Sequence, residues 1–123
     1  MKYLCLAYEQ EADLNSLSQE QWSALRKETL DYVQSLHDSG QLIDTYPLQS
    51  HHSAATVRVR NSQVSVTDGP FAETKETLGG YFLIEARDFN AAIQIAARWP
   101  SARLGSIEVR PIQEGLPEDT RYR

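Results

Sequence analysis

The chain opens on an alternation in which both phases are apolar. In residues 2 to 8, Leu4, Leu6 and Tyr8 fall on one face and Tyr3, Cys5 and Ala7 on the other. A strand buried on two sides carries that pattern, so a central strand is expected. From Glu9 to Leu17 the alternation stops and the segment reads as a polar loop. Ser18 then offers an N-cap, and Gln21, three residues on, completes a capping box. Trp22, Leu25, Thr29, Tyr32, Val33 and Leu36 follow at helical spacing and Gly40 supplies a stop, which predicts a long helix over about 19–38. Gln41 to Tyr46 reads as a second strand ended by Pro47, and Leu48 to Ser53 as a loop.

Further along, Ala55, Val57 and Val59 alternate with Thr56, Arg58 and Arg60, and the alternation resumes at Val64 and Val66 after Asn61-Ser62. That is a hairpin with a two-residue turn. Tyr81 to Ala86 forms another strand. Asp88 or Asn90 can cap a helix whose apolar positions are Phe89, Ala92, Ile93, Ala96 and Ala97, and Trp99-Pro100 ends it. The last strand runs from about Ser106 to Ile112, with Ile107 and Val109 on one face and Ser106, Glu108 and Arg110 on the other. Glu114 to Arg123 is a polar tail. The order is strand, helix, strand, hairpin, strand, helix, strand, an α+β pattern without internal repeats. Two helices cover only one face of a four- or five-stranded antiparallel sheet. The other face carries Tyr and Leu and calls for a partner, so a homodimer with two sheets facing each other is expected.

With 123 residues the chain is one domain that buries roughly two-thirds of the surface its unfolded form exposes. Its single cysteine, Cys5, excludes an intramolecular disulfide or a cysteine-based zinc site and fits a reduced, cytoplasmic setting. There is no basic and apolar leader and no apolar run of bilayer length, so a soluble protein without membrane contact is expected. The net charge of -5, from 17 acidic and 12 basic residues, contains no block of like charge. Nucleic-acid binding needs clustered Lys and Arg and is not expected. The chain has no glycine-rich phosphate loop, nucleophile elbow or paired-cysteine motif, and no cofactor is expected.

The stretch from Val64 to Phe82 concentrates the unusual residues. It breaks at Asp68-Gly69-Pro70-Phe71, collects Glu73, Lys75 and Glu76, and re-enters a strand through Gly79-Gly80. Pro70 fixes its own φ and restricts Gly69, while paired glycines permit a close approach by other atoms. Arg58 shares a strand face with Thr56 and Arg60; if Val57 and Val59 pack beneath the helices, its guanidinium faces a closed interior and suits a carboxylate or phosphate. A cross-strand ion pair with Glu85 or Glu108 is the structural alternative. Asp68 can act as an acid or base beside Arg58, or simply accept hydrogen bonds within its turn. Glu108 and Arg110 project on one side of their strand, where they line a pocket or pin the register. Tyr81 and Tyr8 can offer phenolic hydroxyls. His51-His52 is the histidine pair that invites a metal, but adjacent histidines diverge in a strand or loop and no acid or cysteine stands at a recognisable spacing, so no metal is expected. His37-Asp38 at the end of the first helix is explained by the helix dipole.

Asp68-Gly69-Pro70-Phe71 followed by Ala72-Glu73-Thr74-Lys75-Glu76 and Leu78-Gly79-Gly80-Tyr81 resembles the signature of the DGPF branch of the YCII-related family. The resemblance extends to Ala55-Thr56-Val57-Arg58 and to Ile107 through Ile112, and so covers nearly the whole chain. It implies a ferredoxin-like α+β fold with two helices on one face of an antiparallel sheet, assembled as a dimeric α/β barrel. It also implies a homodimeric small-molecule-binding protein or enzyme, with relatives proposed as enzymes or as companions of sigma factors. The motif keeps an acid at Glu76. Catalytic proposals for the YCII branch rest on a histidine near the start of the first helix, where this chain has Gln21-Trp22. The expected site is therefore Asp68 for proton transfer, with Arg58, Glu76, Tyr81, Glu108 and Arg110 binding a small anionic or aromatic compound in a lyase- or hydrolase-type reaction. The alternatives are a regulatory module that docks on a sigma factor through the 68–76 loop, or a loop that only closes the dimer.

Overall fold

The computed structural model describes residues 1–115. Among them, β1 (Lys2–Glu9), β2 (Leu42–Pro47), β5 (Thr77–Glu85) and β6 (Gly105–Pro111) form one antiparallel sheet in the order β2-β5-β1-β6. The helices are α1 (Glu11–Asn15), α2 (Gln19–Asp38) and α3 (Phe89–Ala97). β3 (Ala55–Arg60) and β4 (Gln63–Asp68) pair only with each other. Leaving that hairpin aside, the four sheet strands have the order of a ferredoxin-like fold, and the hairpin is an insertion between its second and third strands. The polar tail beyond residue 115 lies outside the described residues.

The two phases of β1 separate as the alternation requires. Tyr3, Cys5 and Ala7 are buried beneath α2 and α3, whereas Leu4, Leu6 and Tyr8 lie on the opposite, uncovered face. From β5, Phe82 and Ile84 join the buried side, and from the helices come Leu36, Ala92, Ile95 and Ala96. Phe82 stacks on Trp99 with ring centroids 3.9 Å apart and planes 10° apart. Burying a side chain of that size stabilises by about 1.5–3 kcal/mol. Two polar links hold α2 in place: the Tyr32 hydroxyl donates to the Ile95 carbonyl of α3 at 2.7 Å, and Arg103, in the 3-10 turn Pro100–Arg103, grips both oxygens of Glu28 at 2.8 and 2.7 Å.

The local signals act as their chemistry dictates. Ser18 accepts from the Gln21 N–H while the Gln21 side chain accepts from the Ser18 N–H, closing the capping box. Gly40 follows α2 with φ 75°, a left-handed conformation that costs glycine nothing. Asp88 caps α3 by accepting from the Ala91 N–H at 2.8 Å. Three expectations need correcting. The segment after β1 is not all loop, because Glu11–Asn15 makes a short helix. In α3 the buried residues are Ala92, Ile95 and Ala96, so Ile95 joins the core while Phe89, Ile93 and Ala97 are exposed. The hairpin does not join the main sheet, so Val57 and Val59 do not pack beneath the helices; with Val64 and Val66 they are 55% to 68% exposed.

Candidate functional site

Three clefts meet around the signature loop. The largest, about 680 Å³, lies between the hairpin base and the end of the sheet and is bounded by Tyr8, His51, Thr56, Phe71, Thr74, Thr77 and Leu78. A second, about 470 Å³, is lined by His51, His52, Asp68, Glu73, Thr74 and Thr77. The third, about 390 Å³, runs past Tyr8, Thr74, Glu76, Ser106 and Glu108. Thr74 borders all three. The loop itself is held from within: the Gly69 N–H donates to the Ala54 carbonyl at 2.7 Å, and the Thr56 hydroxyl donates to the Gly69 carbonyl at 2.8 Å. Gly69 takes φ 96°, a left-handed conformation that glycine adopts without a β-carbon penalty.

The expected site residues divide between these places. Asp68 borders the second cleft, and Glu76 and Glu108 border the third. Glu76 accepts from the Ser106 hydroxyl at 2.8 Å, and Glu108 is engaged by Arg110 on the same strand face. Tyr81 turns toward β2, where its hydroxyl donates to Asp44 at 3.4 Å. Arg58 is brought to none of them. In the hairpin register Asp68 opposes Ala55 while Arg58 opposes Ser65, so Arg58 and Asp68 project from opposite faces. The pairing of Arg58 with Asp68 is therefore corrected: the hairpin stands apart from the sheet, and its pleat separates the two side chains. For the same reason Arg58 has no cross-strand ion pair with Glu85 or Glu108 among the described residues.

The geometry draws attention to residues in the segment that read as a polar loop. On the helix side of the sheet, the N-terminal half of α2 leaves an apolar cavity of about 370 Å³ lined by Ala7, Leu14, Trp22, Leu25, Val33, Phe82 and Trp99. Glu9, Arg26 and Thr29 add polar groups to its lining. The Glu9 carboxyl is half-buried, and its pKa is raised, first by desolvation and then by the charge of Glu11. It lies against Gly79, where a β-carbon would collide with it. Here the paired glycines earn a physical reason. Gly79 sits at a bulge in the β1–β5 register and leaves room for the Glu9 side chain, while a β-carbon on Gly80 would come within 3.0 Å of the Tyr46 carbonyl.

Glu11, two residues on, has the opposite environment. Its Oε1 accepts the His51 backbone N–H and its Oε2 accepts the Ser50 hydroxyl, both at 2.9 Å. The His51 backbone first, then the neighbouring His51 ring and the Ser50 hydroxyl, hold its pKa down to about 2. Neighbouring carboxyls are thus driven apart, one toward the neutral form and one toward the charged form. His51 and His52 stand on a 3-10 turn, His51–Ser53, with ring centroids 4.1 Å apart. The expectation that adjacent histidines diverge fails because this turn is neither a strand nor an open loop. The signal for Glu9 and Glu11 was present as alternating acids after an apolar strand, but the partners lie about 40 and 70 residues away.

The sequence of residues 1–115 matches the YCII-related domain. The chain belongs to the YCII-related family. An uncharacterized protein of Rhizobium meliloti (strain 1021) is 32% identical to this YCII-related chain over 114 residues, covering 91% of this chain and 92% of that protein. Among solved structures, the chain is similar in fold to 5-chloro-2-hydroxyhydroquinone dehydrochlorinase of Burkholderia phenoliruptrix AC1100 in complex with 2,5-dihydroxybenzoquinone. The TM-score is 0.53 at 15% identity, covering 94% of this chain and 96% of that one. This likeness establishes a shared fold for the YCII-related chain.

Proposed function

We propose that this YCII-related chain is a homodimeric protein of the DGPF branch that binds, and performs acid-base chemistry on, a small anionic or aromatic compound. One observation carries the reading: a half-buried carboxyl, Glu9, lines an open apolar cleft of about 370 Å³ together with Arg26. An apolar pocket with a few convergent polar groups suits a flat ring. A carboxyl there can take a proton from a ring hydroxyl or an adjacent carbon and return it elsewhere, as a lyase-type elimination requires. Arg26 would meet the negative charge that develops. The dehydrochlorinase of similar fold acts on a hydroxylated, chlorinated ring of that size, which supports the substrate class. Asp68, Glu76 and Glu108 remain candidates for a polar rim on the opposite side of the sheet, where the homodimer would close over Leu4, Leu6, Tyr81 and Leu83.

The test is a thermal-shift screen of small carboxylates, phosphates and hydroxylated aromatics. A ligand present at a hundredfold its dissociation constant adds about 2.7 kcal/mol to native stability. The expected result is a hit that disappears in Glu9→Gln and persists in Arg58→Ala. A hit lost in Arg58→Ala and kept in Glu9→Gln would overturn the placement. A second reading, a regulatory module docking on a sigma factor or other transcription protein, is favoured by Phe71, which is 80% exposed at the signature loop. An empty screen together with capture of such a partner, lost in Phe71→Ala, would establish it.

A further inference from the structure

The first turn of α1 meets the His51–Ser53 turn over a cluster that the reading above does not use. One carboxylate oxygen of Glu11 and one ring nitrogen each of His51 and His52 lie within 4.8 Å of one another. His51 Nδ1 is 2.9 Å from Glu11 Oε1, yet this nitrogen is buried and makes no hydrogen bond. The distance suits a hydrogen bond and the direction does not. Two ligands of a single ion stand in that relation. With metal–ligand bonds of about 2.0–2.1 Å, the atoms of a tetrahedral set sit roughly 3.3 Å apart; the His51–Glu11 pair already stands near that spacing, and the exposed His52 ring, within 4.8 Å, would swing in to complete the set.

We propose that Glu11, His51 and His52 form a binding site for a divalent first-row transition metal of the zinc type. Two imidazoles and one carboxylate are a donor set such ions favour. The supporting contacts are those of a ligand held in place. Ser50 donates to Glu11 Oε2 at 2.9 Å and accepts the His52 N–H at 3.2 Å, so a single hydroxyl orients the carboxylate and fixes the turn that presents both rings. Three protein ligands leave a coordination position open. His51 and His52 both border the cleft of about 470 Å³ that also holds Asp68 and Glu73, so that position would carry a water or an oxygen of a small anion. The site lies outside the Glu9 cavity, and its existence does not depend on the acid-base reading.

The test uses the untagged full chain, stripped with a chelator, then titrated with Zn²⁺ by calorimetry and with Co²⁺ by visible absorption. Saturable binding is expected, with the d–d absorption of a low-symmetry Co²⁺ site. His52→Ala changes an exposed ring and should keep the fold by circular dichroism while weakening binding on the order of 100-fold. Glu11→Gln keeps an oxygen for the His51 N–H and should weaken it at least about tenfold. Absence of saturable binding, or affinity unchanged in both variants, would overturn the site.

Discussion

Glu9 and Gly79 compete for the same space, and this pair sets the sharpest constraint at the scale of single residues. The obstacle to a side chain at position 79 is the end of a flexible glutamate, not backbone. Gly79→Ala should therefore fold at a cost of less than about 1 kcal/mol, because Glu9 can swing aside. It should nonetheless lose ligand binding as fully as Glu9→Gln does. Parallel denaturation and thermal-shift titrations check both halves, and a large loss of stability would show that Glu9 cannot yield. Cys5 gives a second prediction. The thiol is buried and its pKa is pushed up to about 12 from an ordinary value near 9 by desolvation. Above pH 9 the unfolded chain gives up this proton while the folded chain retains it, so the folded state binds more protons and stability falls as pH rises. The slope is about 1.4 kcal/mol per pH unit across that window. Denaturant titrations from pH 8 to about pH 11 should show this component in the native sequence and its disappearance in Cys5→Ala. The native thiol should also resist alkylation until the chain unfolds.

At the scale of elements, the parts with strong local chemistry were legible in the sequence and those made by distant encounters were not. α2 was readable from Ser18, Gln21 and Gly40 because a capping box and a left-handed stop are local physics. Ser18→Ala should cost about 1 kcal/mol, measured by chemical denaturation. The hairpin was readable because Asn61-Ser62 must take the two positive φ angles of a type I′ turn, which they do at 51° and 63°. A serine held at positive φ is strained, so Ser62→Gly should stabilise the hairpin by up to about 1 kcal/mol. Slower amide exchange across β3 and β4, with little change in the main sheet, is the expected readout. What could not be read was where the hairpin goes. Alternating valines specify one apolar face but not which surface it meets, and that uncertainty misplaced Arg58. Glu9 and Glu11 escaped for a related reason: their roles come from Gly79, Ser50 and His51, contacts that no spacing along the chain encodes.

For the molecule as a whole, the uncovered sheet face is the surface on which the proposed homodimer rests. Leu4, Leu6, Tyr81 and Leu83 lie on the side opposite both helices, and the exposed valine face of the hairpin adds a second apolar surface. The proposed homodimer buries the first of these. Leu6→Glu places a charge at its centre and should yield a folded monomer at micromolar concentration, as read by sedimentation and circular dichroism. A variant that remains dimeric would move the contact to the hairpin. The α+β order of strands and two long helices was legible because those elements carry their own periodicity, and the ferredoxin-like arrangement came from the family resemblance, whereas assembly depends on surfaces that meet only after folding.

The hydrogen bond from the Gly69 N–H to the Ala54 carbonyl brings the two ends of the hairpin within 2.7 Å of each other. Such a closed base is a natural graft point: the outer ribbon, residues 57–66, could be lengthened or exchanged for another while Thr56 and Asp68 stay at its base. Because β3 and β4 pair with neither β2 nor β5, the core would not register the exchange. Descendants of this chain could therefore acquire new partners by rewriting one ribbon, keeping the four-stranded sheet and its helices untouched.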